Sequence, residues 1–190
     1  FTRCIALDPK HGLAHVGLAR VLYNVRKDPD GAERMYRRAI EVEPTNASAH
    51  DYFGDFLKSD ARKDYDGAEQ MYRRCIELDP KHNYAYNSLA GILKDVRKDL
   101  YAAEQVYRRR IELDPKNASA HRRLADFLKG TRQDPDGAER VYRDWIKAEP
   151  TNASAHTSLA DFLKDTRKDP DGAERMYRRA IEVEPTNASA

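Results

Sequence analysis

The stretch DPDGAERMYRRAIEVEPTNASA at residues 28–49 returns letter for letter at 169–190. Weaker copies begin at Asp64, Asp99 and Asp134. Prolines keep the beat: Pro9, Pro44, Pro80, Pro115, Pro150 and Pro185 lie 35 residues apart, with a single interval of 36. A period in this range marks a solenoid, in which each repeat buries its apolar face only against its neighbours. Such a chain offers an extended surface rather than an enclosed pocket, which points away from an enzyme. The repeats fall at 12–46, 47–82, 83–117, 118–152 and 153–187 of a single array over 1–190, after a partial copy at 1–11. The chain opens and closes inside repeats, so it reads as a window of a longer array.

One repeat shows how the letters become structure. Asn152 is placed to cap a helix whose apolar or half-apolar positions are Ala153, His156, Leu159, Ala160 and Leu163, spaced by three and four. Thr166-Arg-Lys is a short polar break. Asp169-Pro170 then restarts the chain, with Asp as N-cap and Pro at the first helical position, where its missing N–H costs nothing. Ala173, Met176, Tyr177, Ala180, Ile181 and Val183 form the stripe of a second helix, and Pro185 ends it. Two helices joined by a tight link make an antiparallel hairpin.

Small residues recur where helices must approach closely: Ala19, Gly54, Ala90, Ala125 and Ala160 in the first helix, Ala32, Ala68, Ala103, Ala138 and Ala173 in the second. A tyrosine recurs at 36, 72, 107, 142 and 177, read as a core knob rather than a ligand platform. No alternating β-branched run competes for a strand. The expected fold is all-α, a right-handed superhelical solenoid of antiparallel helix pairs.

Leu159, Ala160, Leu163, Ala173, Tyr177, Ala180 and Pro185 match the leucine, small-residue, aromatic and proline pattern of the tetratricopeptide repeat, and the whole chain resembles that family. The family's usual unit has 34 residues. The extra residue here is assigned to the Lys-Asp-Pro-Asp turn between the helices. The family's early tryptophan is replaced by His15, His50, His121 and His156, and by Tyr86 in the third repeat. The half-a-tetratricopeptide repeats of RNA-processing factors are a related pattern that fits less well.

The resemblance implies ligand contacts on the concave face, at exposed positions of the first helices. These hold Leu13, Val16, Arg20 and Tyr23, then Ser48, Asp51, Asp55 and Lys58, then Tyr84, Asn87 and Lys94. The last two repeats offer Arg122, Asp126 and Lys129, then Thr157, Asp161 and Lys164. The binding candidates are Tyr23, Asp55, Lys58, Tyr84, Asn87, Lys94, Arg122, Asp126, Lys129, Asp161 and Lys164. Asp and Lys three residues apart are also simple solvated helix pairs, worth a few tenths of a kcal/mol each. The Lys and Asn cluster with which chaperone-binding relatives hold a peptide's carboxylate is not reproduced, so no chaperone co-factor is expected.

Composition narrows the rest. Charged residues make up 35% of the 190, yet they nearly cancel to a formal +2. The Arg-Arg pairs at 37–38, 73–74, 108–109 and 178–179 are offset by Glu33, Glu69, Glu104 and Glu174, so a nucleic-acid partner is not expected. Nothing approaches the roughly 18 apolar residues of a membrane span. Cys4 and Cys75 share one repeat position two repeats apart, about 20 Å by helix packing, too far for a disulfide, and read as small apolar filler. The recurrent histidines, His15, His50, His121 and His156, read as structural rather than as zinc ligands. No phosphate loop, nucleophile elbow or HExxH motif is present. No metal, cofactor or catalytic residue is expected.

Asn46, Asn117, Asn152 and Asn187 each begin an Asn-Ala-Ser acceptor for N-glycosylation. The same asparagines are good helix caps, and capping by the amide oxygen would leave the nitrogen for a sugar. Two readings follow. The leading one is a non-enzymatic scaffold binding a protein or peptide on its concave face, cytoplasmic in that case. The alternative is an extracellular structural repeat protein or fibre subunit carrying N-linked glycans at regular intervals. Apolar faces at Ile5 and beyond Ala190 are expected to promote end-to-end self-association.

Overall fold

The computed structural model describes residues 11–184. Ten helices run through them, and no strand occurs among the described residues. In chain order they are α1 (Gly12–Val21), α2 (Pro29–Val42), α3 (Ala47–Lys58), α4 (Tyr65–Leu78) and α5 (Asn83–Asp95). The series continues with α6 (Leu100–Leu113), α7 (Ala118–Asp126), α8 (Pro135–Ala148), α9 (Ala153–Phe162) and α10 (Pro170–Val183). The chain divides into two compact units, Phe1–Asp99 and Leu100–Ala190. In the first, α1 packs on α2 and α3 on α4; in the second, α8 lies against α7, and α10 against α9. The expected all-α architecture of helix pairs is the one observed.

Caps set the helix starts. The Asn46, Asn117 and Asn152 side-chain oxygens accept the backbone N–H of Ala49, Ala120 and Ala155 at 3.1, 2.9 and 3.2 Å. Asp28, Asp64, Asp134 and Asp169 do the same for Gly31, Gly67, Gly137 and Gly172 at the second helices. Such a cap stabilises by about 1 kcal/mol relative to Ala.

The link between the helices differs from the expectation. The polar break at Thr166-Arg-Lys is helical up to Arg167, because the last turn of the first helix widens into a π-helical turn. This happens at Leu22–Arg26, Phe127–Thr131 and Leu163–Arg167. Arg132 donates its N–H to the Phe127 carbonyl and Arg97 to Ile92, five residues back. A turn closed over five residues holds one more residue than one closed over four. The extra residue of the 35-residue repeat is absorbed there, before the turn to which it was assigned. Between each first helix and the second that follows lies one left-handed residue, Lys27, Lys63, Lys98, Gln133 or Lys168, with φ between 54° and 57°.

Packing follows the repeat. The ten recurrent small residues named above are buried. A Cβ on Gly54 would come within 2.8 Å of the Tyr72 ring, so the close approach of α3 and α4 depends on its absence. The tyrosines reach into the first helix of the following repeat. Tyr36 stacks on Phe53 at 5.6 Å, Tyr107 lies 5.5 Å from Phe127, and Tyr142 lies 5.7 Å from Phe162. Burying a ring of this size contributes about 1.5–3 kcal/mol.

Two polar devices fasten successive repeats. The Nε2 atoms of His50, His121 and His156 sit 3.0, 2.8 and 2.8 Å from the carbonyl oxygens of Pro44, Pro115 and Pro150. The histidines that replace the family's tryptophan thus tie the inter-repeat turn to the next helix. Arg62 reaches back to Asp30 at 2.7 Å and Glu33 at 2.9 Å, and Arg97 pairs with Asp66 and Glu69. In the second unit Arg167 pairs with Asp136 and Glu139 in the same way.

Candidate functional site

In the first unit the expected face positions are dispersed. Tyr72 donates its hydroxyl to Asp55 at 2.7 Å, and Lys58 lies 3.4 Å from Asp55 and over the Tyr72 ring. Burial and the Asp55 carboxylate push the Tyr72 hydroxyl well above its ordinary pKa. Lys58 and Asn87 line one shallow hollow of about 400 Å³ with Ile92 and Asp95; Tyr23 lines another with Lys27 and Pro29. Tyr84 is 76% exposed, and Lys94 pairs with Asp95 at 3.4 Å. Two positions read as exposed are buried instead. Val16 and Asp51 are only 3% and 7% exposed, because both lie on the flank that the neighbouring helices cover.

In the second unit the positions converge. A groove of about 440 Å³ runs between α7, α9 and α10. Arg122 and Asp126 from α7 and Lys129 from the π-helical turn that follows it form one wall, Ser154, Thr157 and Asp161 from α9 the other, with Tyr142, Phe162 and Ile181 supplying apolar surface. Tyr177 donates its hydroxyl to Asp161, and Lys164 stands 3.9 Å from that carboxylate, outside the groove. The solvated-pair reading therefore fits Asp55 with Lys58 and Asp161 with Lys164, while Asp126 and Lys129 face the groove. Ile5 lies outside the described residues.

The arginine pairs of the second helices are neutralised as expected. Arg37, Arg73, Arg108 and Arg178 bond to the glutamate four residues earlier at 2.6–2.8 Å. Arg38, Arg74, Arg109 and Arg179 bond to one three residues later at 2.8–3.0 Å.

The acceptor asparagines use both ends of their amides, and this corrects the sequence argument that the nitrogen stays available. Asn46 Nδ2 donates to Glu43 at 2.6 Å, Asn152 to Glu149 at 3.0 Å and Asn117 to Asp114 at 3.3 Å. The Asn46 bond, with the Gly12 backbone N–H, holds Glu43 below the ordinary carboxylate range. Asn187 lies outside the described residues.

A cluster that sequence reading missed sits at the junction of α3, α4 and the start of α5. One ligand-type atom each from Asp51, Cys75 and His82 lies within 4.8 Å of the others. Cys75 is wholly buried, and burial, reinforced by Asp51 and Asp79, pushes its thiol up to about 12. Burial likewise raises the Asp51 carboxyl above its usual range. The search for Cys or His pairs at ligand spacing could not find this group, because its members come from three separate elements.

Comparison with known proteins supports a tetratricopeptide repeat assignment. Residues 60–82 match the tetratricopeptide repeat model. MamA superposes with a TM-score of 0.56 at 20% identity, covering 95% of this chain and 95% of MamA. The family match thus covers one repeat of the array. YrrB, described as a TPR protein with an unusual peptide-binding site, aligns at 18% identity with a TM-score of 0.55, over 97% of this chain and 92% of its own. Yeast Tom70 aligns at 18% identity and a TM-score of 0.63, over 98% of this chain and 39% of its own. No curated protein sequence matches. At these identities the structures share the fold, and the tetratricopeptide repeat fold supports a protein–protein interaction scaffold. No helix among the described residues is long and apolar enough to cross a membrane.

Proposed function

We propose that this protein is a non-enzymatic scaffold that holds a peptide or a segment of a partner protein on its first-helix face. The groove between α7, α9 and α10 is the principal contact. The observation that carries the reading is the meeting of Arg122, Asp126, Lys129 and Asp161 around one groove of about 440 Å³. Tyr142, Phe162 and Ile181 offer apolar surface for an anchor side chain, and charges of both signs at the rim fix its orientation. The similarity to YrrB, a TPR protein with a peptide-binding site, agrees with this use of the fold. The bonds made by Asn46 and Asn152 favour a capping role over a sugar-bearing one.

The test is selection of binders from a displayed library of random peptides, followed by affinity measurement on Arg122→Glu/Lys129→Glu. Enriched peptides that lose about tenfold or more in affinity, as expected when like charges replace complementary ones, support the reading. Failure to enrich any peptide, or enriched peptides indifferent to the double variant, overturns it.

A further inference from the structure

We propose that Asp51, Cys75 and His82 form a binding site for one zinc-class divalent cation. The three side chains are an oxygen, a sulfur and an imidazole nitrogen donor, a set that suits a borderline ion such as Zn²⁺. They come from α3, from α4 and from the N-cap position of α5, so the fold rather than local sequence brings them together. Their ligand atoms lie within 4.8 Å of one another. Metal–ligand lengths of 2.0–2.3 Å place ligand atoms about 3.3–3.7 Å apart in a tetrahedron. Small side-chain rotations close that difference. Three protein ligands leave the fourth position to water.

The polar groups at this junction are incompletely matched by protein. Asp51 is 93% buried, and its Oδ1 has no hydrogen-bond partner among the described residues. His82 Nδ1 also has none among them, and His82 Nε2 stands 3.9 Å from Asp51 Oδ2, beyond hydrogen-bond length. A buried carboxylate without a partner is costly, and a bound cation answers that cost. The repeat register makes the same point. The equivalent trio is Val16, Ala39 and Asn46 in the first full repeat, and Arg122, Trp145 and Asn152 in the fourth. Among the junctions whose three positions all lie within the sequence, this one alone carries at all three side chains that ligate soft or borderline metals. His82 also replaces a capping asparagine without making the cap bond itself.

A Cys–His–Asp group invites a nucleophile reading as well, but a thiol with no solvent exposure cannot meet a substrate. A single ion can enter past His82, whose side chain is 17% exposed. On binding, the Sγ–metal bond replaces the S–H bond, the thiol proton passes to solvent, and the hydrated ion sheds all but one of its waters as the three protein ligands take their places.

The experiment is a Co²⁺ titration of the tag-free, reduced full chain, followed by competition with Zn²⁺. One equivalent should bind with a near-ultraviolet thiolate-to-cobalt charge-transfer band, and Zn²⁺ should abolish the band. Cys75→Ala, which installs the residue found at 39 and 180, should remove it; Cys4→Ala should not. His82→Asn, the residue at 46, 117 and 152, should weaken binding by more than the 10–100-fold typical of losing an outer partner of a metal site, and Asp51→Asn likewise. Helical circular dichroism confirms that each variant is folded. Absence of the band, its survival in Cys75→Ala, or unchanged affinity in His82→Asn or Asp51→Asn overturns the proposal.

Discussion

The junctions around Cys75 and around Trp145 occupy the same register of the repeat and solve the same burial problem in opposite ways. Trp145, in the second unit, fills its slot completely: it is fully buried, its ring stacks on His121 at 4.9 Å, and its Nε1 donates to Glu149 at 3.1 Å. Cys75, in the first, is just as buried but much smaller, and Asp51 and His82 turn polar atoms toward it. At the other described positions of the register stand Ala39, Arg110 and Ala180, and Arg110 too is only 3% exposed. The scaffold thus dictates that this position is inside. It does not dictate the chemistry inside, which each repeat chooses separately.

The comparison breaks first on packing. Trp145→Ala should cost about 3–5 kcal/mol in urea unfolding, the range for removing a buried large aromatic. Cys75→Ala should cost about 1 kcal/mol or less, because only a sulfur is lost. Equal costs would mean that Cys75 is a packing residue like Trp145, with no separate role.

The caps sharpen it next. Asn152→Ala should lose about 1 kcal/mol, since Asn152 caps α9. In metal-free protein His82→Asn should gain a similar amount, because His82 makes no side-chain cap bond at α5. A loss in both would show that His82 is already the better residue for the fold alone.

The smallest effect is expected where the two units agree. Arg62 and Arg167 hold Asp30 and Asp136 below the ordinary carboxylate range, chiefly through side-chain hydrogen bonds. For Glu139 burial pulls upward, but bonds from Arg143 and Arg167 outweigh it and keep it lowered. A depressed folded-state pKa contributes stability that is present above the unfolded value, near 4, and is lost as pH falls through the folded value. Arg62→Ala and Arg167→Ala should therefore lower the urea midpoint modestly at neutral pH, and the gap to the parent protein should close in acid. The same gap at pH 7 and in acid would remove these pairs from the account.

Much of this was legible in the letters. Proline spacing, Asn and Asp caps, the alanine positions and the recurrent tyrosine led directly to helix pairs, because each is a local rule repeated five times. The recurrent histidines were legible as a repeat position, but the bond of His50, His121 and His156 to the proline-turn carbonyl needs three dimensions. The π-helical turns were not legible: one extra residue can sit in a turn or in a widened helix, and only backbone bonding decides. Nor was the burial of Val16 and Asp51, which depends on how neighbouring helices cover a flank of the first helix. The cluster of Asp51, Cys75 and His82 escaped for the same reason, since stacking rather than spacing creates it. Conversely, Arg122, Asp126, Lys129 and Asp161 were named from the repeat register, and in the structure they line one groove.

The most direct test of the claim that one register holds a packed ring in one repeat and a metal site in another is X-ray absorption at the zinc edge on protein loaded with one equivalent of Zn²⁺. The account predicts one sulfur at about 2.3 Å beside a shell of nitrogen and oxygen at about 2.0–2.2 Å. A shell of nitrogen and oxygen alone would contradict it and return Cys75 to the role of small apolar filler.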